Sequence, residues 1–558
     1  MLIAPAPKMR STLISLALCA FAYLYVSPYF PRINNPNENV RLYMTAAIVR
    51  EGHYEIDSLR KRWGLVNDTA VYEGHYYSVK APGTSMLGLP AYSLMRWAHM
   101  EHNRTLLLYA CRLSATVLPT LIFLFFFHRY LGRTTVDPVL REAVFFSAAL
   151  GSSMYGYGLL FVSHTTSAVC AFGAWMLLTN NMERDVLDWH AFLSGLLAAG
   201  VTFFEYPGLP CSIALTAFAL WRLRKRASSI GLFVLGGILP TLAVMHFQYS
   251  AFDNPFTPGH LYVEDEGFRA AHHQGIYGAV GISAQALYGL LLDPGAGLFP
   301  LTPLLLAALP GLVMLMIDRK QRLLALCCGS ICVGTTLIIA SMNNWRGGWT
   351  IGPRYLVVLI PFMAWLALIA LQRSQHSHPR STRIAAVAAT TTALLMSGVV
   401  GAYYPHLPPA LTRPLAQLIP VLIRDDFAPL NAANLFGIFG TASMIPLLLC
   451  MGAAALRMVG TAHRGRGTLL AGVPLGCLLC AVLCLGGTQK MYQVMGAVGV
   501  VTRSWSPAGY DRAARLAATL RKHPSHETRH ALLKLYRSEG RRREAAKLAA
   551  ILRKERNL

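Results

Sequence analysis

The chain has 558 residues, of which 54% are hydrophobic and only 14% are charged, whereas an average soluble domain is about 25% charged. This composition excludes a disordered chain, which combines low hydrophobicity with high charge, and it disfavours an ordinary soluble enzyme. Lys and Arg number 50 against 26 Asp and Glu, for a net charge of +24. The basic residues stand in short clusters between long apolar runs, which indicates membrane topology rather than nucleic-acid binding.

The apolar runs predict an all-α polytopic membrane protein with about thirteen transmembrane helices, each needing about 20 apolar residues. In chain order the runs cover residues 11–30, 106–131, 143–160, 162–179, 191–204, 208–222, 230–249, 295–317, 323–341, 355–371, 384–403, 435–457 and 469–485. With Lys8 and Arg10 in the cytoplasm, every loop placed inside carries basic residues, as the positive-inside rule requires. The first run also resembles a signal peptide, but it continues to Phe30, which favours an uncleaved span.

The same count divides the chain into four parts: an N-terminal span (1–30), a first outer loop (31–103), a multi-span membrane domain (104–487) and a small helical outer C-terminal region (488–558). In the outer loop, residues 82–99 are apolar but short and end in Arg96 and His99, which predicts interfacial helix. The polar tail predicts helices over 511–521, 527–538 and 541–554.

The first outer loop carries the densest polar chemistry. A helix is predicted from about residue 39 to 50, and Glu38 and Arg41 at its start are three apart, on one face. Glu38 could take a proton from a hydroxyl while Arg41 binds phosphate, or Glu38 could only favour the helix dipole. Lys80 suits a lipid phosphate at headgroup depth, or it snorkels as an ordinary interfacial lysine.

These residues resemble the GT-C superfamily of polyprenyl-phosphate-sugar-dependent glycosyltransferases, in particular the protein O-mannosyltransferase and aminoarabinose-lipid A transferase families. Those families carry an acidic residue followed by Glu-x-Arg-Tyr in the first outer loop, and later Lys-Pro-Pro-Leu. Glu38 falls on the first acidic position, Arg41 on the arginine and Lys80-Ala-Pro-Gly83 on the lysine motif, while Arg112 falls on the arginine that opens their second span. The motifs cover roughly the first 180 residues, and the rest matches by topology.

The sequence also departs from the family pattern. Asn39 follows Glu38 where the families have a second acidic residue, and His164-Thr-Thr stands where an Asp often opens the fourth span. His164 could orient Glu38, bind substrate or be a structural hydrogen-bonding group. Asp57, Asp68 and Asp293 are open candidates for a second carboxylate, and we include Asp68 among the site residues.

Two further site candidates lie near the outer ends of predicted spans. Glu205 is a carboxylate close to the membrane, where it must be paired or hydrated. Arg354, beside Tyr355, could bind phosphate oxygens through its guanidinium or anchor a lipid headgroup. An acidic, His-rich outer loop over residues 259–274 could bind an acceptor sugar, or a divalent metal through Glu264, Glu266 and His273. The nearer families generally use no metal, so no cofactor is expected.

The resemblance implies an enzyme that moves a hexosyl or pentosyl group from a polyprenyl-phosphate donor to an acceptor hydroxyl of a glycan, lipid or protein. The reaction is expected at the outer face of a bacterial inner membrane, with the N-terminus cytoplasmic, the C-terminus periplasmic, and no nucleic-acid partner. Glu38 is the expected base, and Arg41, Lys80 and Arg354 are expected to neutralise the departing phosphate. The alternative is a transporter or flippase of lipid-linked saccharides, which would tolerate loss of Glu38.

Overall fold

The computed structural model describes residues 7–30, 35–180, 182, 185–462, 465–485, 491–504, 516–517, 520, 524–538 and 542–556. Within these ranges helices dominate, and the strands are short. Most of the predicted helix over 511–521 lies outside the described residues. The two later tail helices are present, at His526–Ser538 and Arg542–Arg556.

The helices of the first half include α2, whose two ends follow local sequence signals. In chain order they are α1 Met9–Tyr25, α2 Pro36–Glu51, α3 Asp57–Trp63, α4 Gly83–Trp97, α5 Arg104–Arg112, α6 Leu118–Thr134, α7 Pro138–Ala149, α8 Ser153–Gly158, α9 His164–Thr179, α10 Asp188–Phe204, α11 Leu209–Leu223, α12 Ala227–Phe252 and α13 Glu266–His273. Pro36 occupies the first turn of α2, where no backbone N–H is needed, and Gly52 ends the helix in a left-handed conformation.

The helices of the second half are mostly apolar. They are α14 Ala284–Leu291, α15 Leu298–Leu301, α16 Ala308–Ile317, α17 Arg322–Gly329, α18 Thr335–Ala340, α19 Ile360–Ser377, α20 Pro379–Ala393, α21 Val400–Tyr403, α22 Pro414–Gln417, α23 Ile419–Arg424, α24 Ile445–Gly460, α25 Arg466–Leu470, α26 Gly472–Cys484, α27 Met491–Ser504, α28 His526–Ser538 and α29 Arg542–Arg556. Single π-helical segments join α5 to α6, α17 to α18 and α20 to α21 into continuous helices.

The expectation of an all-α membrane protein is confirmed. Seven helices among the described residues are long and apolar enough to cross a membrane: Arg104–Thr134, Ala227–Phe252, Arg322–Ala340, Arg354–Ser377, Pro379–Tyr403, Thr441–Gly460 and Arg466–Cys484. The four spans predicted between residues 143 and 222 fall on α7 to α11, whose lengths range from 6 to 17 residues. The total of thirteen spans therefore stays a prediction.

A fully buried carboxylate, Glu142 at the start of α7, ties four helices together. Its Oε1 atom lies 3.1 Å from His128 Nε2 on α6 and accepts a 3.0 Å hydrogen bond from Arg141. Ser15 of α1 donates a 2.6 Å hydrogen bond to Oε2, and the guanidinium of Arg457 on α24 lies 3.9 Å from Oε1. The charge is fully compensated, as a carboxylate in so apolar a core requires.

We predict that Glu142→Ala destabilises the protein strongly, because two cationic side chains lose their partner inside the core. Breaking a buried ion pair in this way costs about 3–5 kcal/mol. Thermal unfolding in detergent measures the effect as a fall in Tm. Glu266→Ala is the matched control, since that side chain is 90% exposed. Equal Tm values for the two variants would contradict the prediction.

The segment predicted as the first outer loop, residues 31–103, folds where it is described as a separate layer with its own apolar core. We call it the outer layer. Helices α2, α3, α4 and α5 pack around residues such as Leu42, Tyr43 and Leu59, and the end of α12 joins them through Phe247 and Phe252. The helix predicted over residues 82–99 is present as α4, and its interfacial position stays a prediction. A hairpin of β2 (Thr69–Tyr72) and β3 (His75–Ser78) completes the layer and was not predicted. β1 (Val26–Ser27) pairs with β4 (Leu430–Asn431), which connects the end of α1 to a late outer loop.

The junction between this layer and the membrane helices is tight at Gly83, the first residue of α4. A Cβ atom at this position would lie 2.7 Å from the carbonyl oxygen of Phe203 at the end of α10. Only glycine permits this approach. The close contact fixes the segment just before α4, which contains Lys80, above the membrane helices.

Candidate functional site

A cavity of about 2050 Å³ lies between the outer layer and the membrane helices. Its outer part is lined by polar and charged groups, including Asp68, Lys80, His260, Arg354 and His406. Its inner part is a groove with an apolar wall from three helices: Ala199 and Phe203 of α10, Ile213, Ala217 and Leu220 of α11, and Pro240, Val244 and Met245 of α12. One space is therefore lined by charged groups along one part of its wall and by apolar helix side chains along another.

The β2–β3 hairpin places Asp68 and Lys80 side by side on the cavity wall. Asp68 precedes β2 and Lys80 follows β3, and the Val79 amide donates a 3.2 Å hydrogen bond to the Asp68 carbonyl. Lys80 Nζ then lies 2.9 Å from Asp68 Oδ2. Asp68 has a φ of +63°, a left-handed conformation that Asp tolerates better than most residues.

The Asp68 side chain is one-third exposed, so it can reach a molecule in the cavity. Its partial burial favours the neutral acid, but the charge of Lys80 and its hydrogen bond, helped by Arg354, lower the pKa of Asp68 below its usual value. The group is therefore a carboxylate at neutral pH.

Arg354 brings a second cation to the chamber. Its guanidinium lies over the Tyr355 ring, 4.8 Å from the centroid, and donates a 2.8 Å hydrogen bond to the Tyr355 hydroxyl. Gly347 packs so closely that a Cβ atom there would lie 2.2 Å from Arg354 Nε, and its φ is +73°. The buried Nε atom has no hydrogen-bond partner among the described residues. An orphan donor of this kind in a cavity wall suits an anionic ligand.

Glu38 lies behind the wall of the cavity, at 3% exposure. Arg112 donates two 2.8 Å hydrogen bonds to it, one to each oxygen. The Phe161 amide donates a 2.6 Å bond to Oε1, and Asn35 Nδ2 donates a 3.0 Å bond to Oε2. A carboxylate has about four lone-pair sites, so these four donors leave none for a substrate proton.

The same contacts set the protonation of Glu38. Burial favours the neutral acid, but the charge and hydrogen bonds of Arg112, with the nearby His406 and the Phe161 amide, hold the pKa of Glu38 below its usual value. Glu38 is thus an ionised and saturated group. Its predicted role as a base is untested, and its geometry favours a supporting role.

Arg41, Glu205 and His164 form a second chain of contacts behind the wall. Arg41 donates a 2.8 Å hydrogen bond to the Ser163 hydroxyl, which in turn donates to Glu205 Oε2. His164 Nδ1 lies 3.0 Å from the same Glu205 oxygen. His164 therefore faces Glu205 and not Glu38, which was one of its suggested partners.

The structure thus divides the seven predicted site residues into two groups. The described cavity lining contains Asp68, Lys80 and Arg354, and it does not contain Glu38, Arg41, His164 or Glu205. Glu38 and Arg41 are nevertheless adjacent to the cavity, because their hydrogen-bond partners Asn35 and Asn37 line it.

Sequence reasoning missed several lining residues. Asn35 and Asn37 belong to an Asn-rich stretch at the start of α2, whose density of amides was an available signal. His260 and His272 belong to the His-rich segment singled out in the sequence, where they were not named as site residues, and His406 lies in the loop after α21 with no pattern that marks it. His260 and His272 are neighbours, with ring centroids 5.1 Å apart. Burial, and then the charge of Lys80, lowers the pKa of His260 to about 3, so it is neutral at physiological pH.

The suggested metal ligands do not converge. Arg60 donates two 3.1 Å hydrogen bonds to Glu264, His273 Nε2 lies 3.0 Å from the Leu261 carbonyl, and Glu266 is exposed. Among the described residues, the group of side chains close enough to share an ion is instead Glu55, Asp57 and His75, in the outer layer. His75 lies 3.5 Å and 3.6 Å from the two carboxylates, as an ordinary ion-pair cluster does.

No protein-family model matches the chain, and no curated protein matches its sequence. Among solved structures, the chain is similar to ArnT from Cupriavidus metallidurans bound to undecaprenyl phosphate, with 14% identity, a TM-score of 0.47, and coverage of 92% of this chain and 80% of that one. It is also similar to ArnT in the apo state, with 14% identity, a TM-score of 0.45, and coverage of 92% and 90%.

The archaeal oligosaccharyltransferase AglB from Archaeoglobus fulgidus, in complex with an inhibitory peptide and a dolichol-phosphate, is a more distant match. The identity is 11% and the TM-score 0.38, with coverage of 75% of this chain and 57% of that one. At these sequence identities and TM-scores, the similarity carries no function over to this chain.

We predict that Glu38→Gln lowers stability, because a Gln side chain turns an NH2 group toward donors and leaves Arg112 as an uncompensated buried cation. The folded pKa of Glu38 lies below the unfolded value of about 4.3. Its stabilising contribution is therefore complete above the unfolded pKa, from about pH 5 upward, and disappears as the pH falls through the folded pKa. Thermal unfolding at pH 7 measures the loss.

Glu73→Gln, at an exposed hairpin position, is the matched control and should leave Tm unchanged. If Glu38→Gln kept the wild-type Tm and lost only turnover, Glu38 would be the base that the motif suggests.

Proposed function

We propose that the protein is a membrane glycosyltransferase that moves a sugar from a polyprenyl-phosphate donor to an acceptor hydroxyl at the outer face of the membrane. One observation carries the proposal: a single cavity joins a chamber holding Lys80 and Arg354 to an apolar groove between α10, α11 and α12. This shape fits an amphiphile with one anionic head and a long hydrocarbon tail. A free nucleotide sugar would leave the groove empty.

The chamber has the charges that the leaving group needs. Lys80 has three N–H donors and uses one on Asp68, so it can bind a phosphate oxygen at the same time. Arg354 carries an unused buried Nε donor and pairs with a hydroxyl rather than a carboxylate. When the bond between the sugar and the phosphate breaks, the departing lipid phosphate gains a negative charge. Fixed cations that already point at this position lower the barrier.

Asp68 is the base that fits this chamber. It is ionised and reachable, whereas the oxygens of Glu38 are fully occupied. The acceptor oxygen attacks the anomeric carbon, the bond from that carbon to the phosphate oxygen breaks, and the acceptor proton passes to Asp68. A single displacement of this kind inverts the anomeric configuration.

The groove gives the lipid tail an entry from the membrane. Pro240 lies inside α12 and removes a backbone hydrogen bond there, and α11 begins with a Pro-containing turn after Glu205. Both features occur where the two helices border the cavity. A tail that enters from the bilayer exchanges contacts with lipid chains for contacts with apolar side chains, so it stays out of water throughout.

We predict that Asp68→Asn lowers turnover by a factor of about 10² to 10⁴, the usual contribution of a general base. Binding of polyprenyl phosphate should be kept, because Lys80 remains. The measurement is transfer from a radiolabelled polyprenyl-phosphate hexose in nanodiscs. Since the pKa of Asp68 lies below its usual value of about 3.9, wild-type kcat/KM should be constant from pH 8 down to pH 5. A loss of activity between pH 7 and 6 would assign the base to a histidine instead.

The companion variant Lys80→Gln should weaken binding of polyprenyl phosphate at least tenfold, since a charge-assisted hydrogen bond contributes about 1.5–3 kcal/mol. Lys61→Gln removes an exposed charge in the same outer layer and is the matched control. Equal affinities for the two variants would contradict the proposed phosphate site. Donor binding without any turnover across a wide acceptor panel would favour the transporter alternative.

We predict that Ala217→Trp, which fills the groove on α11, weakens binding of a long-chain polyprenyl phosphate and spares a short-chain analogue with the same head. Leu239→Trp on α12 is the matched control, because Leu239 is 70% exposed and is not part of the cavity lining. A competition assay with the two lipids measures the difference. Equal effects of Ala217→Trp on both chain lengths would place the tail elsewhere.

A further inference from the structure

Two asparagines at the start of α2 turn opposite ends of their side-chain amides toward the cavity. Asn35 presents its oxygen and Asn37 presents its NH2 group. We propose that Asn35 and Asn37, together with His406, form a binding subsite for the hydroxyl groups of an uncharged sugar. This inference rests on the proposed function, because the subsite would bind the sugar of the substrate while Lys80 and Arg354 bind its phosphate. All three residues line the cavity.

The orientation of Asn37 follows from the chemistry of its partner. Arg41 donates hydrogen bonds to the Asn37 side-chain oxygen and, at 2.8 Å, to the Asn37 main-chain carbonyl. A guanidinium has donors and no acceptor, so the side-chain oxygen must face Arg41. The Asn37 NH2 group is the part left for the cavity, and it donates to no described residue in the structure.

The orientation of Asn35 is the reverse. Its Nδ2 atom donates a 3.0 Å hydrogen bond to Glu38 Oε2 and lies 3.2 Å from His406 Nε2. A carboxylate only accepts, so the NH2 group must face Glu38, and the second amide hydrogen faces His406. The side-chain oxygen of Asn35, Oδ1, is therefore left for the cavity, and no described residue donates to it.

The same contact fixes the histidine. Because His406 Nε2 accepts from Asn35, the ring proton sits on Nδ1, which becomes a donor. Burial lowers the pKa of His406 to about 4, so the ring is neutral at physiological pH. His406 is held in place by the edges of Phe30 and Tyr404, whose ring centroids lie 6.1 Å away.

These contacts indicate what the buried charges of Glu38 and Arg41 do: they orient the two asparagine side chains. Glu38 and Arg41 are 3% and 2% exposed and do not line the cavity. Each binds the inner half of one asparagine amide and so sets which half faces a ligand. The Glu-x-x-Arg spacing thus positions a neutral acceptor and a neutral donor two residues apart, and Glu38 and Arg41 are positioning residues.

The resulting chemistry selects uncharged sugars. Each sugar hydroxyl both donates and accepts a hydrogen bond, so neighbouring hydroxyls match one acceptor oxygen on Asn35 and donors on Asn37 and His406. None of the three groups carries a charge, so none compensates an amino or carboxylate substituent on the sugar. The sugar that binds here is carried by the donor lipid or belongs to the acceptor.

The test compares Asn37→Asp with Asn39→Asp. Asn37→Asp keeps an acceptor for Arg41 but removes the donors that face the cavity. Asn39 lies on the same helix, and its Oδ1 atom accepts a 2.9 Å hydrogen bond from Arg104, so Asn39→Asp adds an equal charge that is paired outside the cavity. Asn37→Ala, without any added charge, is the second variant. Thermal unfolding confirms that each variant is folded.

The first measurement is binding of bare polyprenyl phosphate and of the same lipid carrying a neutral hexose, in nanodiscs. We expect wild type and Asn39→Asp to bind the hexose lipid about tenfold more tightly, the worth of one or two neutral hydrogen bonds. Asn37→Asp and Asn37→Ala should lose this ratio. A ratio that both Asn37 variants keep overturns the subsite for the donor sugar.

If wild type shows no such preference, the acceptor is the remaining source. In that arm the KM for a glycan acceptor should rise about tenfold in both Asn37 variants at unchanged donor affinity, and an unchanged KM overturns the inference. If wild type binds neither lipid, the proposed function fails. Binding of methyl hexoside then tests the sugar subsite independently of the lipid. Binding by wild type that is lost in both Asn37 variants supports the subsite, and any other result overturns it.

Discussion

The buried ion pair of Glu38 and Arg112 is the contact on which the arrangement of the site depends. Glu38 belongs to the outer layer and Arg112 to the first long membrane helix, and Arg112 also donates a 2.9 Å hydrogen bond to the Pro28 carbonyl after α1. The Phe161 amide before α9 completes the set. An unpaired charge at this depth would cost several kcal/mol. The outer layer therefore cannot move away from these three membrane segments without losing the pair.

This constraint separates the groups that bind ligand from those that hold them. The ionised residues that face the chamber, Lys80, Asp68 and Arg354, have donors or exposed surface to spare. The ionised residues behind the wall act through neutral amides: protein donors occupy both oxygens of Glu38, and Arg41 donates to Asn37 and Ser163. A site built in this way needs little rearrangement when a ligand binds, which is the basis of electrostatic preorganisation.

Local sequence signals predicted the seven long apolar helices, the end of α2 near Gly52, and α4, although α2 begins at Pro36, three residues before its predicted start. They were insufficient for the β2–β3 hairpin, because two four-residue strands carry little periodicity and are stabilised by the layer around them. For the site, residue type and position near a span end found Lys80, Asp68 and Arg354. The contact between Asn35 and His406 joins residues 371 positions apart, and no local pattern contains such a pairing.

The sequence by itself determined that this is a multi-pass helical membrane protein whose polar chemistry concentrates in the segments between its apolar helices. Hydrophobic length and the placement of charge are local properties of a sequence, and they decide which segments can cross a bilayer. Only the tertiary structure decided which charges face the cavity. Glu38 and Lys80 look equally available in the sequence. In the folded chain Glu38 points inward and pairs with Arg112, whereas Lys80 lies beside Asp68 on the cavity wall. The reason is that a buried charge is costly unless it is paired, and only the fold brings the partners together.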